Sequence, residues 1–171
     1  MTWNSTCFAL APLLLLLQGC GIYSFSGISL PPEAKTFSLR YQSNVALGPP
    51  DLLEKFQQQL GDELAQRTPL KQVTSQGDLQ LEGTIKQFSY TPIAPSKGSG
   101  AEQANLDRLT IKIQMNYINP YDEEAAFSKK IFSQYADMPA EASRDQQEPL
   151  LIDEIFTKLI KDIFNATVAS W

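Results

Sequence analysis

Residues 109–119 read LTIKIQMNYIN, and their strict alternation decides the fold. Leu109, Ile111, Ile113, Met115 and Tyr117 fall on one side of an extended chain. Thr110, Lys112, Gln114 and Asn116 fall on the other, because successive strand side chains point to opposite faces. A strand with one apolar and one polar side belongs to a sheet that is covered on one face. Asn119-Pro120-Tyr121-Asp122-Glu123-Glu124 then reads as a turn, and Phe127 to Asp137 (FSKKIFSQYAD) is the expected antiparallel return strand.

Upstream, Leu79, Leu81, Gly83 and Ile85 alternate with Gln80, Glu82 and Thr84, a half-buried strand that continues through Phe88 and Tyr90 after a change of register. Between it and Leu109 lies TPIAPSKGSGAEQAN, residues 91–105, a Pro-, Gly- and Ser-rich loop. Thr36 to Tyr41 supplies a first strand, with Phe37, Leu39 and Tyr41 on one side. Gly48-Pro49-Pro50-Asp51 breaks the chain and opens a helix that carries Leu53, Phe56, Leu60 and Leu64 and ends near Arg67, before Pro69. A last helix is expected from about Glu148 to Ala169, with Pro149 in its first turn. Its Ile152, Ile155, Phe156, Leu159, Ile160 and Ile163 form an apolar arc wide enough to touch more than one surface. The order is β-α-β-β-β-α, an α+β fold in which a four-stranded mixed sheet is packed with two helices.

The N-terminus has a different character. Cys7 to Leu17 (CFALAPLLLLL) is about half the length that a membrane-spanning helix needs and matches the apolar region of a signal peptide. Residues 1–19 hold no Lys or Arg, so only the terminal amine supplies positive charge there. Leu17-Gln18-Gly19-Cys20 resembles a bacterial lipobox. That resemblance implies diacylglycerol on Cys20 Sγ, cleavage before Cys20 and acylation of the new amine. The competing reading, a buried cysteine in an N-terminal helix, needs a polar helix face that the leucine run lacks. Two or three chains on one residue would hold the protein firmly, since each buried CH₂ contributes ~0.8 kcal/mol. The expected organisation is a signal peptide over 1–19, a tether over 20–34 and one domain over 35–171.

Composition narrows the function. The 171 residues carry 14 Lys plus Arg against 19 Asp plus Glu, a formal charge of −5, which does not suit nucleic-acid binding. There is no histidine, so Ser-His-Asp and Cys-His catalysis and His-ligated zinc are excluded. The only cysteines are Cys7, which leaves with the signal, and Cys20, which is blocked by lipid. No phosphate-cradling glycine motif is present, and Asp122-Glu123-Glu124 lacks the spacing of a calcium loop. No metal or cofactor is expected beyond the covalent lipid on Cys20, and no catalytic residue is assigned.

The stretch Cys20-Gly21-Ile22-Tyr23-Ser24-Phe25-Ser26-Gly27, then LQLEGTI (79–85), LTIKIQMNYIN (109–119), FSQYADM (132–138) and DEIFTKLIKDIFNATVASW (153–171), resembles the LptE lipopolysaccharide-assembly lipoproteins. Gly21 after the cysteine is not acidic, so the common inner-membrane retention signal is missing. The resemblance implies a non-enzymatic protein, lipid-anchored at the outer membrane and facing the periplasm. It would plug the lumen of an LptD-like β-barrel, assist its assembly and help deliver lipopolysaccharide to the outer leaflet. A generic envelope lipoprotein that binds another protein is the first alternative, and a carboxylate-based glycan hydrolase the second.

Lipopolysaccharide is anionic, so a binder should present cations. Arg108 and Lys112 share one strand face, and Lys129 joins them if the next hairpin has the right register; these three are the candidate lipopolysaccharide contacts. An ordinary solvated sheet face is the competing reading. The loop 91–105 either reaches into the barrel lumen or simply connects a hairpin.

Overall fold

The computed structural model describes residues 30–43, 48–93 and 105–169. Cys20, the signal region, most of the tether, most of loop 91–105 and the terminal Trp171 lie outside the described residues.

The chain forms β1 (Thr36–Ser43), α1 (Leu52–Arg67), β2 (Lys71–Val73), β3 (Leu79–Ile93), β4 (Leu106–Ile118), β5 (Phe127–Pro139) and α2 (Arg144–Thr167). The sheet has five strands in the order β2-β1-β3-β4-β5, not four. β1 is parallel to β2 and β3, whereas β3-β4 and β4-β5 are antiparallel. The additional strand is β2. Its three residues carry no readable alternation and are mostly exposed, so it exists through its ladder with Thr36–Ser38 rather than through an apolar side.

Getting from β2 to β3, on opposite sides of β1, requires the chain to cross β1. It does so at Gly77, where a Cβ would lie 2.6 Å from the backbone of Phe37 and Ser38. Only glycine allows that approach. Gly77 N donates to Ser38 Oγ at 3.2 Å, and the Asp78 carboxylate closes the crossing. Asp78 Oδ2 accepts from Lys35 N at 3.0 Å, Thr36 N at 2.9 Å and Thr36 Oγ1 at 2.8 Å.

The register change expected in β3 is a bulge between Ile85 and Gln87, which lets Leu79, Leu81, Ile85 and Phe88 face the same side. α2 starts at Arg144, one turn earlier than its apolar arc suggests. Ser143 O accepts from Gln146 N and Gln147 N, and Pro149 therefore falls inside the helix. The Asp145 carbonyl loses the backbone donor that Pro149 lacks, on an exposed stretch of the helix.

Both helices pack on one side of the sheet. Phe37 and Leu39 of β1, Leu79, Leu81 and Ile85 of β3, and Leu109 to Tyr117 at odd positions of β4 are buried beneath them. Phe56 of α1 meets Phe156 of α2 edge-on at 5.0 Å and Tyr41 at 5.5 Å. Gly83 leaves room for the Tyr41 ring, since a Cβ there would lie 2.0 Å from it. Burial raises the Tyr41 phenol well above its ordinary pKa. No described helix is long and apolar enough to cross a membrane.

Candidate functional site

Among the described residues, the other side of the sheet carries no helix. Arg40 and Gln42 of β1, Glu82 and Thr84 of β3, and Gln114 and Asn116 of β4 lie side by side in register across it. Together with Gly83 and Lys129 they line a polar hollow of about 310 Å³. Its chemistry is dominated by amides and a hydroxyl that donate and accept hydrogen bonds. Arg40 Nη1 and Glu82 Oε1 stand 3.4 Å apart within it.

The three cations chosen from the sequence occupy this open face but do not form one cluster. Arg108 is already committed: Nε and Nη2 donate to Asp137 Oδ1 and Oδ2 at 2.7 and 2.8 Å. Its guanidinium also lies 3.6 Å from the centre of the Tyr135 ring. The Arg108 guanidinium holds the Asp137 carboxyl below its usual pKa, and Asp137 in turn raises that of Arg108. Lys112 sits between Gln87 and Ser133 and has no ion-pair partner among the described residues. Arg108 and Lys112 are four residues apart, about 14 Å along a strand.

Lys129 reaches the face by a route the sequence does not reveal. It occupies a bulge opposite Asn116 with φ 56°, and its backbone N–H donates to Asn116 Oδ1 at 2.8 Å. The bulge turns it towards the polar hollow, which it lines. Lys112 and Lys129 are thus the cations of the three that have no ion-pair partner among the described residues. Glu82 and Thr84 are legible as a polar strand face, whereas the contribution of Arg40 and Gln42 is not. The signal was present in the polar positions of β1 and β3, but their pairing required the parallel register.

At the β4-β5 turn an apolar hollow of about 560 Å³ is lined by Tyr117, Ile118, Pro120, Ala126 and Phe127 among others. Burial pushes the Tyr117 phenol up to about 12. The acidic run behind it is a local turn: Asp122 Oδ1 accepts from Glu124 N and Ala125 N at 3.1 and 3.3 Å. Among the described residues no group of three or more His, Cys, Asp or Glu side chains is placed to hold a metal ion.

A family model described as LptE, lipopolysaccharide-assembly, matches residues 34–167. No curated protein matches the sequence. Among solved structures the chain is similar to the rare lipoprotein B of Shewanella oneidensis, at 15% identity, covering 75% of this chain and 92% of that one with a TM-score of 0.49. It is similar to a minor lipoprotein of Acinetobacter baumannii at 14% identity, covering 76% and 89%, with a TM-score of 0.45. A hypothetical protein of Chlamydia trachomatis aligns at 10% identity over 78% of this chain and 98% of that one, with a TM-score of 0.50, a likeness of fold.

Proposed function

Because this chain belongs to the LptE lipopolysaccharide-assembly family, we propose that it is a non-enzymatic outer-membrane lipoprotein that plugs an LptD-like β-barrel. In that role it assists barrel assembly and helps pass lipopolysaccharide to the outer leaflet. The observation that carries the reading is the uncovered sheet face, polar across β1, β3 and β4. The interior of a large membrane barrel is polar, so a plug must offer hydrogen-bonding groups to it rather than apolar ones. Thr84, Gln114 and Asn116 do so without placing a charge against the wall.

Cys20 holds the protein to the membrane through its acyl chains and places the domain on the periplasmic side, within the barrel lumen. Lys112 and Lys129 make the contacts to lipopolysaccharide phosphates, and Arg108 contributes less because Asp137 already neutralises it.

Affinity purification from membranes in mild detergent tests the partner. A stoichiometric large β-barrel is the expected companion, and its absence overturns the reading. Lys112→Glu with Lys129→Glu should reduce retention of lipopolysaccharide in a pull-down, whereas Arg108→Gln should reduce it less. Equal retention by all three proteins removes these residues as contacts. For the anchor, Cys20→Ala in cells lacking the barrel should release the protein from the outer membrane, and full retention there argues against lipidation.

A further inference from the structure

We propose that Asn116 is a positioning residue for an anion site in the polar hollow, where Lys129 and Arg40 take one phosphate-type group and Glu82 limits its affinity. The proposal rests on the reading of Lys129 as a lipopolysaccharide contact. It extends that reading to the residue that aims Lys129 and the residue that opposes the anion.

The bulge in β5 re-aims Lys129. Tyr117 pairs with Phe127 and Met115 with Lys130, so Asn116 alone stands opposite both Ser128 and Lys129. Phe127 and Lys130 share the covered side, where Lys130 Nζ lies 4.9 and 5.4 Å from the centres of the Phe127 and Phe132 rings. Unbroken alternation from Phe127 would turn Lys129 to that side as well. The extra residue puts it on the open side instead. Lys129 is one of two non-glycine residues with positive φ among the described residues. Glycine adopts φ 56° freely, whereas a lysine there is strained, and strain of this kind gathers at functional sites. Asn116 Oδ1 holds the bulge by accepting from Lys129 N at 2.8 Å and Ser128 Oγ at 3.3 Å. With Oδ1 so used, the asparagine offers its Nδ2 donor to the hollow that it lines.

The lining of the hollow favours an anion. Lys129, Arg40, Asn116 Nδ2 and the Thr84 hydroxyl can all donate into it. Arg40 and Lys129 against Glu82 leave one positive charge there, in a chain of formal charge −5. The Arg40–Glu82 pair is loose, at 3.4 Å with the Arg40 side chain 66% exposed, so the guanidinium keeps donors free. A tetrahedral oxyanion accepts from several donors at once, and its bonds to cations are the strong ones. Glu82 opposes it by like charge and by competing for Arg40. Lys112 has no such setting. It stands four residues from Asn116 on β4 and does not line the hollow.

Titration of the full chain in non-ionic detergent with glucose 1-phosphate, followed through the side-chain NMR signals of its lysines and asparagines, tests this. The Lys129 and Asn116 signals should move and saturate, Lys112 should stay, and glucose without phosphate should move none of them. Asn116→Ala and Lys129→Gly should each weaken binding about tenfold. Lys129→Gly should do so with little change in the urea midpoint, because glycine suits φ 56°. Glu82→Gln should tighten binding about two- to fivefold, a gain that a merely structural role for these residues does not predict. No movement of Lys129, or movement of Lys112 equal to it (an adventitious ion only), overturns the proposal. So does Asn116→Ala that binds as wild type, or Glu82→Gln that binds no tighter. If the sugar phosphate binds as expected while Lys129→Gly retains lipopolysaccharide like wild type, the anion site stands and its lipopolysaccharide source fails.

Discussion

The two faces of the sheet come from the same strands, yet they do different work. On one, Leu109, Ile111, Ile113, Met115 and Tyr117 are buried beneath two helices. On the other, Thr110, Lys112, Gln114 and Asn116 alternate with them and meet no helix. The covered face supplies apolar burial, which dominates stability. The open face holds groups that gain little from folding and so are free to serve another surface. If this division is correct, substitutions on the two faces separate stability from binding.

The largest effect is expected at the centre of the covered face. Phe156 is fully buried and touches Phe56, and Phe156→Ala should cost about 3–5 kcal/mol in urea denaturation. A loss below about 1 kcal/mol would mean that the helices do not carry the core. Next comes Gly83→Val, which drives a side chain into the Tyr41 ring and should cost about 1–3 kcal/mol through forced repacking. Tyr41→Ala in the same chain should relieve part of that strain, and strictly additive losses would contradict the contact.

The Asp78 crossing belongs to neither face and depends on pH. Hydrogen bonds from the Lys35 N–H and from Thr36 hold its carboxyl below the usual range. A carboxyl depressed in the folded state contributes stability that is present above its unfolded pKa and lost as pH falls through the folded one. The urea midpoint should therefore fall as pH drops from about 5 to about 3, and the fall should be shallower in Asp78→Asn. Identical slopes would show that the hydrogen bonds do not bind the proton equilibrium to folding. The smallest stability effect is expected on the open face, where Gln114→Ala should stay within about 0.5 kcal/mol of wild type.

Most of this division was legible in the sequence because a period of two is a direct image of a sheet with one covered face. β4 was readable from Arg108 to Tyr117 and β3 through Tyr90, beyond its bulge, but Thr91–Ile93, expected as loop, extend β3 by pairing with Leu106–Arg108. What escaped was non-local. β2 is held by its ladder with β1, and three residues are too few to show a period. Lys129 owes its place in the polar hollow to a bulge set by pairing with Asn116. The commitment of Arg108 to Asp137 depends on the β4-β5 register, which places the two residues directly opposite each other. The start of α2 is not legible because Pro149 suits a first turn, whereas the helix holds it one turn further in. Cys20 was legible only as a motif, and it lies outside the described residues.

The most direct test of the account changes the open face and leaves the core alone. Thr84→Arg with Gln114→Arg adds two bulky charges to adjacent strands within the polar hollow. Membrane co-purification of this variant beside wild type, with urea midpoints measured for both, compares the two faces in one experiment. The account predicts a stoichiometric β-barrel with wild type, loss of most of it with the variant, and nearly equal midpoints. Undiminished barrel recovery with the variant, or no barrel with wild type, would contradict it.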